Sequence, residues 1–248
     1  MRVHVAFTPA EAAAAPLGIV VDVLRATSTI AQALAGGYRR VLSCADVEEA
    51  RALREAAGDG VLAGERACVR IPGFELGNSP SEFVSPNGES VILTTTNGTS
   101  ALVAAASRCE RVVTASLLNL DAVVATAREA EANVAIMCAG VRGEFAIDDA
   151  YVAGRIVALL AGERSDAAEA AVRLARSFAT AEEGLRASRS ARNLVNAGLE
   201  KDIAWCAHES VLDVVPRVSE VRGASVEITA LPPTNGPGSA AGFAEPTP

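Results

Sequence analysis

Val20-Val21-Asp22-Val23-Leu24-Arg25-Ala26-Thr27-Ser28-Thr29-Ile30 runs from an apolar β-branched stretch, through an acid and an arginine, to three hydroxyls at the start of an Ala-rich segment. β-branched residues suit a pleated strand and Ala suits a helix, so the stretch reads as strand, polar turn, helix. The same alternation recurs outward in both directions. It predicts strands near 3–7, 18–23, 40–43, 61–64, 91–95, 111–114 and 133–138, and helices near 27–36, 46–57, 98–107, 119–131 and 147–161. Strands alternating with helices build a largely parallel sheet covered on both faces, an α/β fold of α/β/α layers. Asp46 followed by Glu49 has the logic of a capping box.

Residues 65–90 show neither period and predict a long functional connection. Residues 165–208 read as wholly helical and offer a homodimer surface, 211–230 return to strand-like alternation, and 231–248 read as a flexible Pro/Gly/Ala-rich tail. The expected organisation is one domain over 1–230, or two packed lobes, followed by that tail.

Composition narrows the function. Half of the 248 residues are hydrophobic and only 4% aromatic, which allows a substantial core of Ala, Val, Leu and Ile. The net charge is -8, and the 22 cationic residues, a single lysine (Lys201) among arginines, form no basic run. Nucleic-acid binding, which needs concentrated positive charge, is therefore not expected. No run suits a bilayer span or a signal peptide, so neither a membrane partner nor export is expected and the chain reads as cytoplasmic. Five cysteines without a CxxC pair read as reduced thiols, each but Cys68 in a regular element.

In a parallel sheet, ligands bind where strands end and helices begin. Four such places carry polar groups. After the first, Asp22, Arg25, Thr27 and Ser28 suit an oxyanion site, or equally a buried Asp22–Arg25 pair with hydroxyl caps. The second, Thr94 to Thr99 with Thr96-Asn97-Gly98-Thr99, suits an anion or a plain turn and helix cap. At the third, Arg142 and the pair Asp148-Asp149 follow Cys138-Ala139-Gly140; the acids suit metal ligation or helix-dipole complementation. Glu65-Arg66 marks the fourth, as site residues or a surface ion pair. One shared site for a small, multiply charged anion accounts for all four.

Other chemistries fail on residues. No cysteine precedes an arginine by six positions, the two histidines (His4 and His208) lie outside the clusters, and no P-loop, GxSxG or GxGxxG occurs. Asp22-Val23-Leu24 breaks the Asp-x-Asp of haloacid-dehalogenase-type phosphatases. A thiol nucleophile at Cys138 is the competing enzyme reading, without a histidine beside it in sequence. The non-enzymatic alternative is an anion-binding protein without turnover.

Val21 to Thr29, Gly64-Glu65-Arg66, Gly73-Phe74-Glu75-Leu76-Gly77-Asn78-Ser79-Pro80, Thr94 to Thr99 and Cys138-Ala139-Gly140 resemble, in order and spacing, the 2-phosphosulfolactate phosphatase (ComB) family. The resemblance continues through Phe145, Asp148-Asp149, Ala153-Gly154, Asp202-Ile203 and Cys206 to Val215-Pro216. It implies Mg²⁺-dependent hydrolysis of 2-phosphosulfolactate to sulfolactate and phosphate, a step toward coenzyme M in methanogens. Carried over by position, it implies metal ligation by Asp22, Glu65 and Asp149, with Asp148 in reserve. Arg25, Thr27, Ser28, Arg66, Asn78, Thr96, Asn97, Gly98 and Thr99 would face phosphate, carboxylate or sulfonate. Phospholactate and phosphoglycolate are the alternative substrates, and either water or Asp22 attacks phosphorus.

Overall fold

The computed structural model describes residues 1–11, 13–58 and 60–231; the tail expected over 231–248 lies, from Pro232 on, outside the described residues. In chain order the elements are β1 (Arg2–Ala6), β2 (Leu17–Val21), α1 (Ala26–Ala35), β3 (Arg40–Cys44), α2 (Val47–Ala57), β4 (Gly60–Arg66), β5 (Val69–Arg70), a 3₁₀ turn (Pro80–Phe83), β6 (Ser90–Thr94) and α3 (Gly98–Ala106). Then follow β7 (Arg111–Ala115), α4 (Leu120–Glu129), β8 (Val134–Cys138), α5 (Ile147–Leu159), β9 (Glu163–Arg164), α6 (Asp166–Arg176), α7 (Ala181–Arg186), α8 (Arg189–Asn196), α9 (Glu200–Cys206), β10 (Pro216–Arg222) and β11 (Ser225–Ala230).

All strands join one sheet, ordered β5-β4-β6-β3-β11-β10-β7-β2-β8-β1-β9. The sheet is mixed: parallel blocks β7-β2-β8-β1-β9 and β3-β6-β4 are separated by the antiparallel hairpin β10–β11. The path from β2 to β4 thus crosses three antiparallel pairings, which reverse strand direction. The twist along the same path accumulates to on the order of 120–150° and nearly cancels that reversal. Strand ends from both blocks therefore face one region.

Side-chain alternation explains the layers. Leu17, Ile19 and Val21 of β2 and Ile136 of β8 pack with α4, α5 and α6, whereas Val20 and Met137 face the opposite way. That opposite layer is shared: Ile30 and Ala33 of α1 and Ala101 and Leu102 of α3 pack with residues of both parallel blocks, including Val41, Val61 and Val91. Leu42, Leu62 and Ile92 point outward onto α2. The sheet wraps around α1 and α3, giving the α/β/α layers with two outer helical covers.

Two expectations need correction. Residues 165–208 are not one helical run, because Ser165, Thr180 and Ser188 each accept a backbone N–H and restart the helix as α6, α7 and α8. Cys109 lies in the turn before β7 rather than in a regular element. Asp46 caps α2 by accepting from the N–H groups of Glu48 and Glu49. All five cysteines are free, and among the described residues no helix is long and apolar enough to cross a membrane.

Candidate active site

Register aligns the strand ends that build the site. Val21 lies beside Ala115 and Cys138, and Gly64 lies beside Thr94, so Asp22 emerges next to the β8 turn and Glu65 next to Thr95. The helices following β2 and β6 start here, with Leu24, Arg25, Thr96 and Asn97 in the lining, an arrangement that favours anions, and α5 after β8 opens with Asp148 and Asp149 beside Asp22. Between them lies a cavity of about 100 Å³, lined by Asp22, Arg25, Glu65, Asn78, Thr96, Asn97 and Arg142 among others. A wider groove of about 320 Å³ adjoins it at Ala67, Cys68, Arg142 and Asn193, so the narrow inner part suits a small anionic group.

Asp22 is buried at its floor. Its Oδ1 accepts from the Ala26 N–H at 3.3 Å, and its own N–H donates to Thr27 Oγ1 at 3.1 Å. Burial pushes the Asp22 carboxyl up to about 7; Asp148 and Glu65 reinforce the rise, while the Ala26 N–H and Arg25 oppose it. Gly98 makes this packing possible, because a Cβ there would lie 2.9 Å from Asp22 Oδ2 and 2.7 Å from the Ala26 Cβ. No larger residue lets α3 start so close.

Asp148 and Asp149 open α5 and are both buried. Asp149 braces two strand ends, its Oδ1 accepting from the Val23 N–H and its Oδ2 from the Gly140 N–H, both at 2.9 Å. Gly140 has φ +65° and no room for a Cβ, which would sit 2.3 Å from the Glu144 carbonyl oxygen. Burial, then Asp148 and Asp22, raise Asp149 well above the usual carboxylate range. Burial also raises Asp148 to about 6, moderated by the Ser190 hydroxyl, first-turn N–H groups and the Ser188 hydroxyl.

Two buried polar atoms of lining residues, Asn78 Oδ1 and Thr95 Oγ1, and Asp148 Oδ1 behind Asp22 have no hydrogen-bond partner among the described residues. Leaving such an atom unpaired costs about 1–3 kcal/mol, which a bound ligand would relieve.

Several expected site residues face elsewhere. Ser28 Oγ donates to the Val23 carbonyl at 2.8 Å, and Thr99 Oγ1 donates to the Cys44 carbonyl at 3.1 Å. Arg66 is turned away: its guanidinium donates to the carbonyls of Glu65 and Ala45 and to Thr94 Oγ1. Neither bland alternative for the arginines holds, because Arg66 makes no surface ion pair with Glu65 and Arg25 does not pair with Asp22. Arg25 reaches Asp202 of α9, with Nη1 2.5 Å from Oδ2 and both side chains buried. Glu65 is buried and engaged on both oxygens, Oε2 by the Cys68 N–H at 2.7 Å and Oε1 by the N–H and hydroxyl of Thr96. Cys138 is fully buried, with its thiol pushed well up by burial and then by Asp149 and Asp148, the opposite of an activated nucleophile. His4 Nδ1 meets Ser165 Oγ and His208 Nδ1 meets the Trp205 carbonyl, both away from the cavity.

Two tight turns flank the mouth. Ala67 and Cys68 join β4 to β5 with φ +52° and +67°, and Arg142 and Gly143 join Val141 to Glu144 with φ +54° and +79°. Both have the type I′ signature, which usually takes Asn or Gly; a left-handed L-residue costs about 1–2 kcal/mol. The Arg142 N–H is held by Asn97 Oδ1 at 3.1 Å, and its side chain makes no ion pair among the described residues. Of the lining residues, Cys68, Ser190 and Asn193 escape sequence reasoning, whereas Thr95 belongs to the strand-end hydroxyls of Thr94 to Thr99.

As for a divalent cation, no three His, Cys, Asp or Glu side chains close on one point among the described residues. The donor chemistry still fits Mg²⁺, which commonly takes one or two carboxylates and completes its shell with water and substrate phosphate. Asp148 Oδ1 is an unpartnered hard oxygen in a buried cluster of acids around Asp22.

A family model described as 2-phosphosulpholactate phosphatase matches residues 5–221. A "2-phosphosulfolactate phosphatase" of Methanothermobacter thermautotrophicus is 39% identical over 217 residues, 87% of this chain and 92% of that protein. "Probable 2-phosphosulfolactate phosphatase" proteins of Thermotoga maritima and Carboxydothermus hydrogenoformans are 39% identical over 219 residues (86% and 94%) and 38% identical over 202 residues (80% and 84%). With the matched region spanning every strand end that forms the cavity, the chain belongs to the 2-phosphosulfolactate phosphatase family.

Proposed function

We propose that the chain hydrolyses the phosphate ester of a small 2-hydroxy acid carrying a second acidic group, with 2-phosphosulfolactate as the foremost substrate. The observation that carries this is a cavity of about 100 Å³ where Arg25 and the start of α3 meet Asp22, whose carboxyl burial pushes up to about 7. Unpartnered Asn78 Oδ1 and Thr95 Oγ1 in its lining, and Asp148 Oδ1 behind Asp22, await a polar ligand. The names of the relatives support the same reading.

Arg25 and the N–H groups at the start of α3 bind the phosphoryl oxygens and stabilise the charge that spreads over them in transfer, while the first N–H groups of α1 hold Asp22. Thr96 and Asn97 form the adjoining wall. Arg142, at the mouth, takes the distal carboxylate or sulfonate, which fixes the substrate's orientation. Asp22 and Asp148 would hold Mg²⁺, which when bound neutralises phosphate charge as a Lewis acid. Asp22 faces phosphorus, and the stereochemical course identifies the attacking atom. A single transfer to water inverts the configuration at phosphorus, and two transfers through the Asp22 carboxylate retain it.

The test is phosphate release from 2-phosphosulfolactate, phospholactate and phosphoglycolate, with Mg²⁺ or chelator. Mg²⁺-dependent release preferring the sulfonate supports the reading as stated. Release from carboxylates alone changes the substrate, and absence of release from all three replaces catalysis by anion binding.

A further inference from the structure

Arg25, Ser79 and Asp202 close a buried triangle behind the cavity. Arg25 Nη1 donates to Ser79 Oγ at 3.1 Å and to Asp202 Oδ2 at 2.5 Å, and Ser79 Oγ donates to the same Asp202 Oδ2 at 2.7 Å. The three residues come from the turn after β2, the irregular 65–90 connection and α9. Side-chain exposure of Arg25 and Asp202 is 3% and 7%. Ser79 is itself fixed, because the Glu82 carboxylate accepts from the N–H groups of Gly77 and Ser79.

We infer that Ser79 and Asp202 are positioning residues that aim Arg25 at the phosphoryl group; the inference rests on the phosphatase reading and deepens it. A buried ion pair contributes little net stability compared with apolar side chains of similar volume, so stability alone is a poor account of the triangle. A guanidinium has five donors in a planar fork. Here two acceptors grip Nη1, and Nη2 makes one long contact, 3.4 Å to the Cys68 carbonyl. The grip fixes the plane of the fork while Arg25 still lines the cavity. A side chain ordered before the ligand arrives loses no rotamer freedom on binding, and a pre-aimed donor acts fully in the transition state. Asp202 also balances the Arg25 charge inside the protein, so the arginine stays buried without phosphate. Through Asp202, docking of α9 becomes a condition for an aligned site.

The experiment uses the full chain with Ser79→Ala, Ser79→Thr and Asp202→Asn, each alone and combined with Arg25→Ala. Ser79→Ala leaves the ion pair intact and carries the test where removing a buried charge at position 202 or 25 unfolds the chain, which circular dichroism reads for each variant. Kd for inorganic phosphate is measured by calorimetry alongside kcat and KM. The expected result is phosphate affinity weakened about 10-fold in Ser79→Ala and Asp202→Asn, with kcat and kcat/KM falling together by about 10–100-fold. Ser79→Thr restores most of the loss, and neither change adds to Arg25→Ala. Wild-type constants in Ser79→Ala and Asp202→Asn, or losses that add fully to that of Arg25→Ala, overturn the inference while leaving ester turnover as evidence for the phosphatase. Arg25-dependent phosphate binding that Ser79→Ala weakens, in a protein that turns over no ester, keeps the inference and removes the phosphatase reading.

Discussion

The turn after β2 and the turn after β4 each bring an acid and an arginine to the same cavity, and they use them differently. After β2, Asp22 has one backbone N–H on Oδ1 and sits among other acids, while Arg25 is gripped from behind by Ser79 and Asp202. After β4, both oxygens of Glu65 are engaged by Cys68 and Thr96, and Arg66 turns to backbone carbonyls. On the proposed reading, the first turn changes charge and meets an anion, and the second holds the wall in shape. Which donors and acceptors lie within reach, rather than acid-arginine proximity in the chain, decides the role.

The largest expected contrast is between the acids. Asp22→Asn lowers kcat by about 10³-fold or more, in the upper range for a group acting on the reacting atoms, with little loss of Tm. Glu65→Gln lowers kcat by about 10–100-fold and destabilises the fold, because an amide cannot accept from Cys68 and Thr96 on both ends. Steady-state kinetics with calorimetry decides, and equal kcat losses would erase the contrast. Among the arginines, Arg25→Ala lowers kcat/KM by about 10²–10³-fold, the usual loss for one transition-state donor. Arg66→Ala leaves kcat within about threefold and lowers stability by about 1–2 kcal/mol through the stranded carbonyls, measured by denaturant unfolding.

Gly98→Ala sharpens the geometry. The added methyl meets Asp22 Oδ2 and the Ala26 Cβ, so kcat falls about 10-fold and stability by about 1–3 kcal/mol. Unchanged kinetics would mean that α3 does not need its close start.

The acid cluster also sets a pH dependence. Asp22 and Asp148 have folded values of about 7 and 6, above the ordinary 3.8, so the native state binds more protons than the unfolded chain between about pH 4 and 7. Stability of the chelated protein therefore falls as pH rises through that window and levels off above it. Mg²⁺ raises Tm more at pH 7.5 than at pH 5, since it competes with protons for the same oxygens. Thermal scans across the window check both signs. The smallest effect belongs to Cys138→Ser, which leaves kcat within about twofold because that buried thiol is protonated.

Much of this was legible in the sequence because it is local. Period and β-branching located the strands and helices, and polar residues at strand ends marked Asp22, Glu65, Asn97 and Arg142 as neighbours of one site. Hydroxyls were ambiguous for a physical reason: Ser28 and Thr99 serve carbonyls near their own helix starts, a use that looks the same in sequence as ligand binding. The hairpin β10–β11 lies mid-sheet although its strands end the described chain, since strand order depends on contacts that local pattern does not encode. For the same reason Asp202 gave no sign that it would reach Arg25 across 177 positions. The caps at Ser165, Thr180 and Ser188 were readable but hidden in a stretch of uniform helical composition.

The most direct test of the central claim is release of phosphate from 2-phosphosulfolactate by the wild type and by Asp22→Asn, each with Mg²⁺ and with chelator. The account predicts turnover by the wild type with Mg²⁺, lost on chelation and lost in Asp22→Asn although that protein still folds. Equal turnover by wild type and Asp22→Asn would contradict it, placing the chemistry outside the cavity that Asp22 floors.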